Sequence, residues 1–362
     1  MSKDTIRKIE EKVRNQERLD PSEGLFLFEE AELGFLGRLA SEVKNRINGD
    51  KVYFNRNFHI EPTNICIYNC SFCSYKRRVG QADAWEMDEE KMLAEIERFK
   101  ETGATEVHIV GGVHPKRDLH YYAGLIRAIK RKNPDLQIKA FTAVELDFMI
   151  RKAKLNYREG LEILQSAGLD SIPGGGAEIF DETLRKKICN DKTDSETWLL
   201  IHQTAHELGI HSNVTILYGH LETYEHRIDH MDRIRKLQDI TGGFQAFIPL
   251  KYRHENNALS EIGEVATIED LRNYAVSRIY LDNVPHLKAY WPMTGKELAS
   301  VSLDFGVDDL DGTIDDTTKI YSMAGADDQN PVFTTDDLAR IIRSAGRIPV
   351  ERDTLYNTLK TY

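Results

Sequence analysis

Cysteine is scarce in this chain, four among 362 residues. That is too few for a disulfide scaffold, so a reducing compartment, the cytoplasm, is expected. No run of about 18 apolar residues occurs, so no membrane-spanning helix is expected. Basic residues are in deficit: 48 Lys and Arg stand against 59 Asp and Glu, a formal net charge of −11. That argues against nucleic acid or an anionic membrane surface as the main partner. The opening residues, Met1 to Arg7, hold no apolar core, so no signal peptide is expected there. Low-complexity segments and dividing linkers are lacking as well. What remains, 41% hydrophobic and 30% charged, is an ordinary globular composition with a core.

The cysteine that is present is concentrated. Cys66, Cys70 and Cys73 fall in the run Asn64-Ile65-Cys66-Ile67-Tyr68-Asn69-Cys70-Ser71-Phe72-Cys73, a C-x3-C-x2-C spacing; Cys189 stands alone. A tetrahedral zinc site wants four ligands, usually from two paired knuckles. With one triplet and no second pair, zinc needs His59 or a distant ligand, and a zinc-stabilised binding protein stays open as the alternative. Three thiolates from one short loop suit a 4Fe-4S cluster with one iron left for a small molecule. Asn64 and Asn69 read equally as partners of cluster sulfurs or as turn residues.

Residues 3 to about 48 read as helices. From about 52, short apolar runs alternate with amphipathic ones. Strands are expected at 58–61, 106–110, 137–142, 171–172, 212–217, 244–248, 286–290 and 306–310. Helical patterns lie at 88–102, 119–132, 157–167, 195–208, 222–239, 268–280 and 295–304. This alternation predicts a parallel sheet covered by helices. Eight units fit an α/β fold of the (β/α)8 barrel class. The expected division is a helical N-terminal extension, 1–50, the barrel, 51–320, and a C-terminal helical tail packing on it, 321–362.

Barrel chemistry sits in the loops after the strands. The triplet follows the first expected strand, and Gly111-Gly112-Val113-His114 the second. Gly174-Gly175-Gly176-Ala177-Glu178 follows the fourth and Tyr218-Gly219-His220 the fifth. Three consecutive glycines make sense where backbone must pass close to a bulky ligand. Glu178 then suits a ribose or ammonium contact, or a helix N-terminus; Glu145, expected to end the third strand, has the same standing. His202 with His206, and His226 with His230, are spaced as in metal-binding helices but lack the Glu of a metalloprotease. They read better as helix faces outside the barrel, and Cys189 as an inert thiol. The acidic stretch from Asp308 to Asp316 lacks the periodicity of a calcium loop. It reads as closing the barrel mouth, where Asp309 or Asp311 touches substrate.

The triplet, with an aromatic just before its last cysteine, resembles the radical S-adenosylmethionine (SAM) superfamily. The resemblance implies that Cys66, Cys70 and Cys73 hold a 4Fe-4S cluster whose open iron chelates SAM. It also implies that Phe72 packs on the adenine and that Gly111 and Gly112 receive the methionyl ammonium; Glu145 and Glu178 are expected beside them from their places after the strands. Longer stretches are similar to the futalosine-pathway synthases of menaquinone biosynthesis. They include His59-Ile60-Glu61-Pro62-Thr63-Asn64, Ile172 to Phe180, Gly242 to Leu250, Lys288 to Met293 and Asp308 to Ile314. Dehypoxanthine futalosine cyclases and deazaflavin-cofactor synthases share the triplet and the glycine run. Leu250 after Ile248-Pro249, and the pattern Asp311-Gly312-Thr313-Ile314-Asp315, favour the synthases.

That family's reaction is then the expectation. The 5′-deoxyadenosyl radical adds to the vinyl CH2 of 3-[(1-carboxyvinyl)oxy]benzoate, the aryl group migrates, and CO2 leaves. A reducing electron donor such as flavodoxin or ferredoxin is implied. Asp309, Asp311 and His220 are the catalytic candidates. The substrate's two carboxylates need local cations in so acidic a chain. Strand-end candidates are His114, His220, Lys251, Arg253 and Lys288, with Lys251, Arg253 and His220 leading.

Overall fold

The computed structural model describes residues 2–312, 318–326 and 332–362. Three helices open the chain: α1 (Ser2–Arg14), α2 (Pro21–Glu29) and α3 (Leu33–Asn48). An Asp20–Glu23 capping box and Pro21 start α2. The strands are β1 (Lys51–Phe54), β2 (Asn57–Ile60), β3 (Glu106–Ile109), β4 (Gln137–Ala140), β5 (Ser171–Ile172), β6 (His211–Tyr218), β7 (Phe244–Lys251), β8 (His286–Ala289), β9 (Asp309–Leu310), β10 (Ile348–Arg352) and β11 (Thr358–Thr361). Between β2 and β9 lie α4 (Glu89–Lys100), α5 (Leu119–Lys132), α6 (Ala143–Lys152), α7 (Tyr157–Ala167), α8 (Glu182–Cys189), α9 (Ser195–Glu207), α10 (Tyr224–Thr241), α11 (Thr267–Tyr280), α12 (Trp291–Thr294) and α13 (Lys296–Ser302).

Strands β2 to β9 run parallel, each beside the next in sequence, and curl into the expected (β/α)8 barrel with helices outside. The seam between β9 and β2 is crossed by the Asn57 N–H donating to the Gly312 carbonyl at 3.3 Å. A Cβ on Gly312 would overlap the Asn55 carbonyl, so only glycine lets the two segments meet. Three helices within the barrel, α6, α8 and α12, were not anticipated, nor was β1. The third expected strand stops at Ala140, because Thr142 and Glu145 form a capping box that opens α6. Glu145 therefore sits in a first helical turn, not at a strand end. The short α8, capped by Asp181, follows the glycine run.

The tail was expected to be helical. It contributes one helix, α14 (Thr335–Ser344), and then two strands: β10 joins β1 in parallel, and β11 returns antiparallel. Beyond β10, Thr354 bonds Ser171 and its N–H donates to Gln137. The tail thus covers the end of the barrel opposite the catalytic loops. The N-terminal helices pack outside, α2 on α10 and α11 and α3 on α11. His202 and His206 face the barrel from α9 and both contact Ser212 Oγ, each at 2.8 Å. Among the described residues no helix is long and apolar enough to cross a membrane.

Candidate functional site at the barrel mouth

The thiol triplet lies on the loop after β2, and that loop is pinned from several sides. Cys66 N–H donates to Arg77 O (3.0 Å) and Ser71 N–H to Ile188 O (2.6 Å). Arg78 donates to the carbonyls of Cys66 and Ile67, and the Lys76 ammonium to that of Cys70. Asn64 is used as a turn residue: its side chain bonds Trp85 N–H and Asp83 O. The four cysteines form no disulfide. Burial pushes the Cys70 and Cys66 thiols up, against the pull of the Lys192 ammonium. Among the described residues no three Cys, His, Asp or Glu side chains could hold one metal ion. A cluster takes one thiolate per iron and tolerates wider spacing than a zinc tetrahedron. The triplet fits the cluster better.

The loop opens onto a cavity of about 280 Å³ inside the barrel. Phe72, Cys73, Gly111, Gly175, Gly176 and Glu178 line it near the mouth. Gly174 has φ +81°, and a Cβ there would overlap the Asn213 carbonyl of β6. The glycine run therefore lies flat against the next strand and leaves room above it. Glu178 is buried and ion-paired with Lys192, whose ammonium stands 5.5 Å from the Phe72 ring centroid. Glu145 does not line the cavity. Its carboxylate accepts from Gly111 N–H (3.2 Å), Thr142 N–H (2.8 Å) and the Thr142 hydroxyl (2.7 Å). Burial pushes it up to about 7 despite these bonds. It sets the Gly111 backbone from behind, and Gly112 is packed against the Ile65 backbone.

The expected cations divide. Lys251, Arg253 and Lys288 line the cavity; His114 and His220 do not. Lys251 pairs with Asp270 (2.9 Å) and Arg253 with Glu264 (3.1 Å). His220 contacts Leu217 O and Glu222, and His114 contacts Glu86. Burial lowers both imidazoles. Each of the three leading candidates is thus engaged by its own chain. Asp311 lines the cavity beside Lys288 (3.1 Å), whereas Asp309 is held by both nitrogens of the Arg352 fork (2.7 and 3.1 Å). Thr313, Ile314, Asp315 and Asp316 lie outside the described residues.

Several site residues had not been singled out. Lys192 carries no local signal, since lysine is ordinarily a surface residue. Glu61 accepts from the Thr318 hydroxyl and from the N–H groups of Lys319 (2.9 Å) and Ile320 (3.2 Å), tying a cavity-lining segment to the end of β2. Asn57, Glu106, His108 and Lys139 line the cavity's depth, together with His59, which had been weighed only as a zinc ligand. Their signal was available: they alternate with apolar residues in strands buried on both faces.

Comparison with known proteins agrees with this geometry. Residues 60–234 match the model of the radical SAM superfamily, and 241–362 that of the CofH/MqnC C-terminal region. The chain is 48% identical to aminodeoxyfutalosine synthase of Thermus thermophilus, over 98% of this chain and 96% of that one. It is 41% identical to aminodeoxyfutalosine synthase of Streptomyces coelicolor, over 98% and 94%. The FeFe-hydrogenase maturase HydG from Carboxydothermus hydrogenoformans shares the fold, with a TM-score of 0.76 at 19% identity, covering 98% of this chain and 81% of that one. The chain belongs to the radical SAM superfamily, whose members use a 4Fe-4S cluster and SAM. Within it, the similarity to the aminodeoxyfutalosine synthases runs from end to end.

Proposed function

We propose that this chain is an aminodeoxyfutalosine-forming transferase. It adds the 5′-deoxyadenosyl group of SAM to 3-[(1-carboxyvinyl)oxy]benzoate, with aryl migration and loss of CO2, in the futalosine pathway to menaquinone. The observation that carries this reading is 48% and 41% identity to two such synthases, each over 98% of this chain.

When bound, the cluster and SAM supply a primary carbon radical. The chain's own residues hold and screen. Cys66, Cys70 and Cys73 are assigned to the cluster, and Phe72, Gly111 and Glu178 to SAM, because they border the cavity beside Cys73. Glu145 and Gly112 position that wall. Val110, Leu217, Ile248, Leu250, Tyr290 and Met293 give the cavity an apolar middle, which keeps water from a radical and holds an aryl ring. Lys288, paired with both Asp309 and Asp311, is the expected cation assigned to a substrate carboxylate because it lies deepest below the cluster loop; Asp309 acts through Arg352 and Lys288. The reductant is a one-electron carrier such as flavodoxin or ferredoxin, and the setting is the cytoplasm.

The test is an anaerobic assay of reconstituted enzyme with SAM and the benzoate substrate, read by mass spectrometry. The expected product contains the adenosyl group and lacks CO2. Free 5′-deoxyadenosine without adduct would overturn the reading in favour of hydrogen abstraction, as in the cyclases.

A further inference from the structure

The inside of a (β/α)8 barrel is ordinarily packed with branched apolar side chains. Here its depth is charged. Lys139 and Lys288 are each 3% exposed and Glu106 is 1% exposed, yet all three line the cavity. The strand register assembles them. His59 is the partner of His108, and His108 of Lys139, so β2, β3 and β4 present two imidazoles and an ammonium in one row. Asn57 and Glu106 form the row beneath. Lys288, the register partner of Asp309, faces them across the barrel.

These groups are costly to bury and are only partly satisfied among themselves. Lys139 pairs with Glu106 at 2.9 Å, and Asn55 donates to the same carboxylate at 3.0 Å. Burial pushes Glu106 up, but Lys139, Arg352 and Lys288 outweigh it and hold the carboxyl at about 2. His108 Nε2 and Asn213 Oδ1 have no hydrogen-bond partner. Three cations, Lys139, Lys288 and Arg352, offset three carboxylates, Glu106, Asp309 and Asp311. The floor is thus locally neutral in a chain of net charge −11. Above it stand the apolar wall and, at the mouth, Cys73 and Phe72. The cavity is chemically graded along its axis: cluster loop, apolar middle, and a floor of paired charges.

We propose that this floor, with Lys139 and His108 as the specificity-determining contacts and Lys288 opposite, receives the aryl carboxylate of the substrate. This rests on the reaction assigned above. A radical generated at the mouth must meet the vinyl CH2, so the enol-ether end of the substrate stays near Cys73. The ring then lies in the apolar middle, and the benzoate carboxylate, at the end remote from the alkene, reaches the floor. A buried ammonium and an unpartnered imidazole nitrogen suit it.

Two measurements test this. The first is ligand binding without chemistry: 3-methoxybenzoate and anisole are titrated against the holoenzyme, read as shifts in Tm. The wild type is expected to be stabilised by the carboxylate and not by anisole. His108→Leu and the pair Glu106→Gln with Lys139→Met should lose that difference; the paired change avoids stranding a buried carboxylate. The second compares KM for the full substrate with KM for the analogue lacking the ring carboxylate. Wild type should prefer the full substrate by about tenfold to a hundredfold, the range of a charge-assisted contact. In the variants the ratio should fall toward one while kcat at saturation changes little. Variants that keep both the Tm difference and the KM ratio overturn the proposal. Binding that depends on Lys139 and His108 in an enzyme that forms no adenosyl adduct upholds the floor and overturns the reaction.

Discussion

Lys192 and Glu178 illustrate how one buried pair ties two ligand sites together. The ammonium lies beside the Phe72 ring, pulls on the Cys70 thiol and is paired with the carboxylate that closes the glycine run. Removing one partner of a buried pair strands the other, which typically costs about 3–5 kcal/mol. Lys192→Met should therefore lower unfolding stability in urea by several kcal/mol, and the paired change with Glu178→Gln by much less. Cysteine identity gives a cleaner readout. Changing Cys66, Cys70 or Cys73 to Ala should abolish bound iron, measured per chain after anaerobic reconstitution. Cys189→Ala should retain it, because that thiol lies outside the triplet loop, at the end of α8. Iron lost with Cys189→Ala and kept without Cys70 would overturn the ligand assignment.

The loop after β2 and the segment 318–326 are separate stretches of chain that share one anchor. Glu61, at the end of β2, accepts three hydrogen bonds from Thr318, Lys319 and Ile320. Arg253 and Asn256 hold the far side of the same segment through Gly325 O and Met323 O. Because Thr318, Ile320, Tyr321 and Ala324 line the cavity, loosening the anchor should weaken substrate binding more than it slows chemistry. Glu61→Ala should raise KM about tenfold, the lower end for lost charge-assisted bonds, and speed limited proteolysis within this segment. An unchanged KM with an unchanged cleavage pattern would refute the tether. At the barrel seam, Gly312→Ala drives a methyl into the Asn55 carbonyl. Neither backbone segment has slack there, so the loss should exceed the about 1–3 kcal/mol of ordinary overpacking, measured by thermal unfolding.

The molecule as a whole buries several neutral histidines, and this sets its acid response. Burial lowers His206 and His230 to about 3 and His202 and His108 well below the usual imidazole range. Above about pH 6.5 these groups are neutral folded or unfolded and contribute no slope. Below it the unfolded chain binds protons that the folded chain refuses, so stability falls with pH by about 1.4 kcal/mol per unit for each such histidine. For His206 and His230 the fall continues to about pH 3. Urea midpoints should therefore drop steeply between pH 6.5 and 5. A flat profile across that range would mean these imidazoles charge without unfolding.

The alternation of short apolar runs with amphipathic ones was enough to place eight barrel strands and most of the outer helices, because each element must bury one face and its period records which. The triplet spacing was enough for the cluster, because three thiolates on one short loop are a local arrangement. The strands of the tail were not legible: β10 and β11 exist by pairing with β1 and with each other. The cationic candidates failed to separate for a similar reason. Lys251 and Lys288 look alike in sequence, and only the fold brings Asp270 to one and Asp311 to the other. The polar floor lies between these cases. Its residues alternate visibly within β2, β3, β4 and β8. That their face turns inward, and that His59, His108 and Lys139 share one row, was decided by closure of the barrel and the register of its strands, which couple residues some 30 to 50 positions apart.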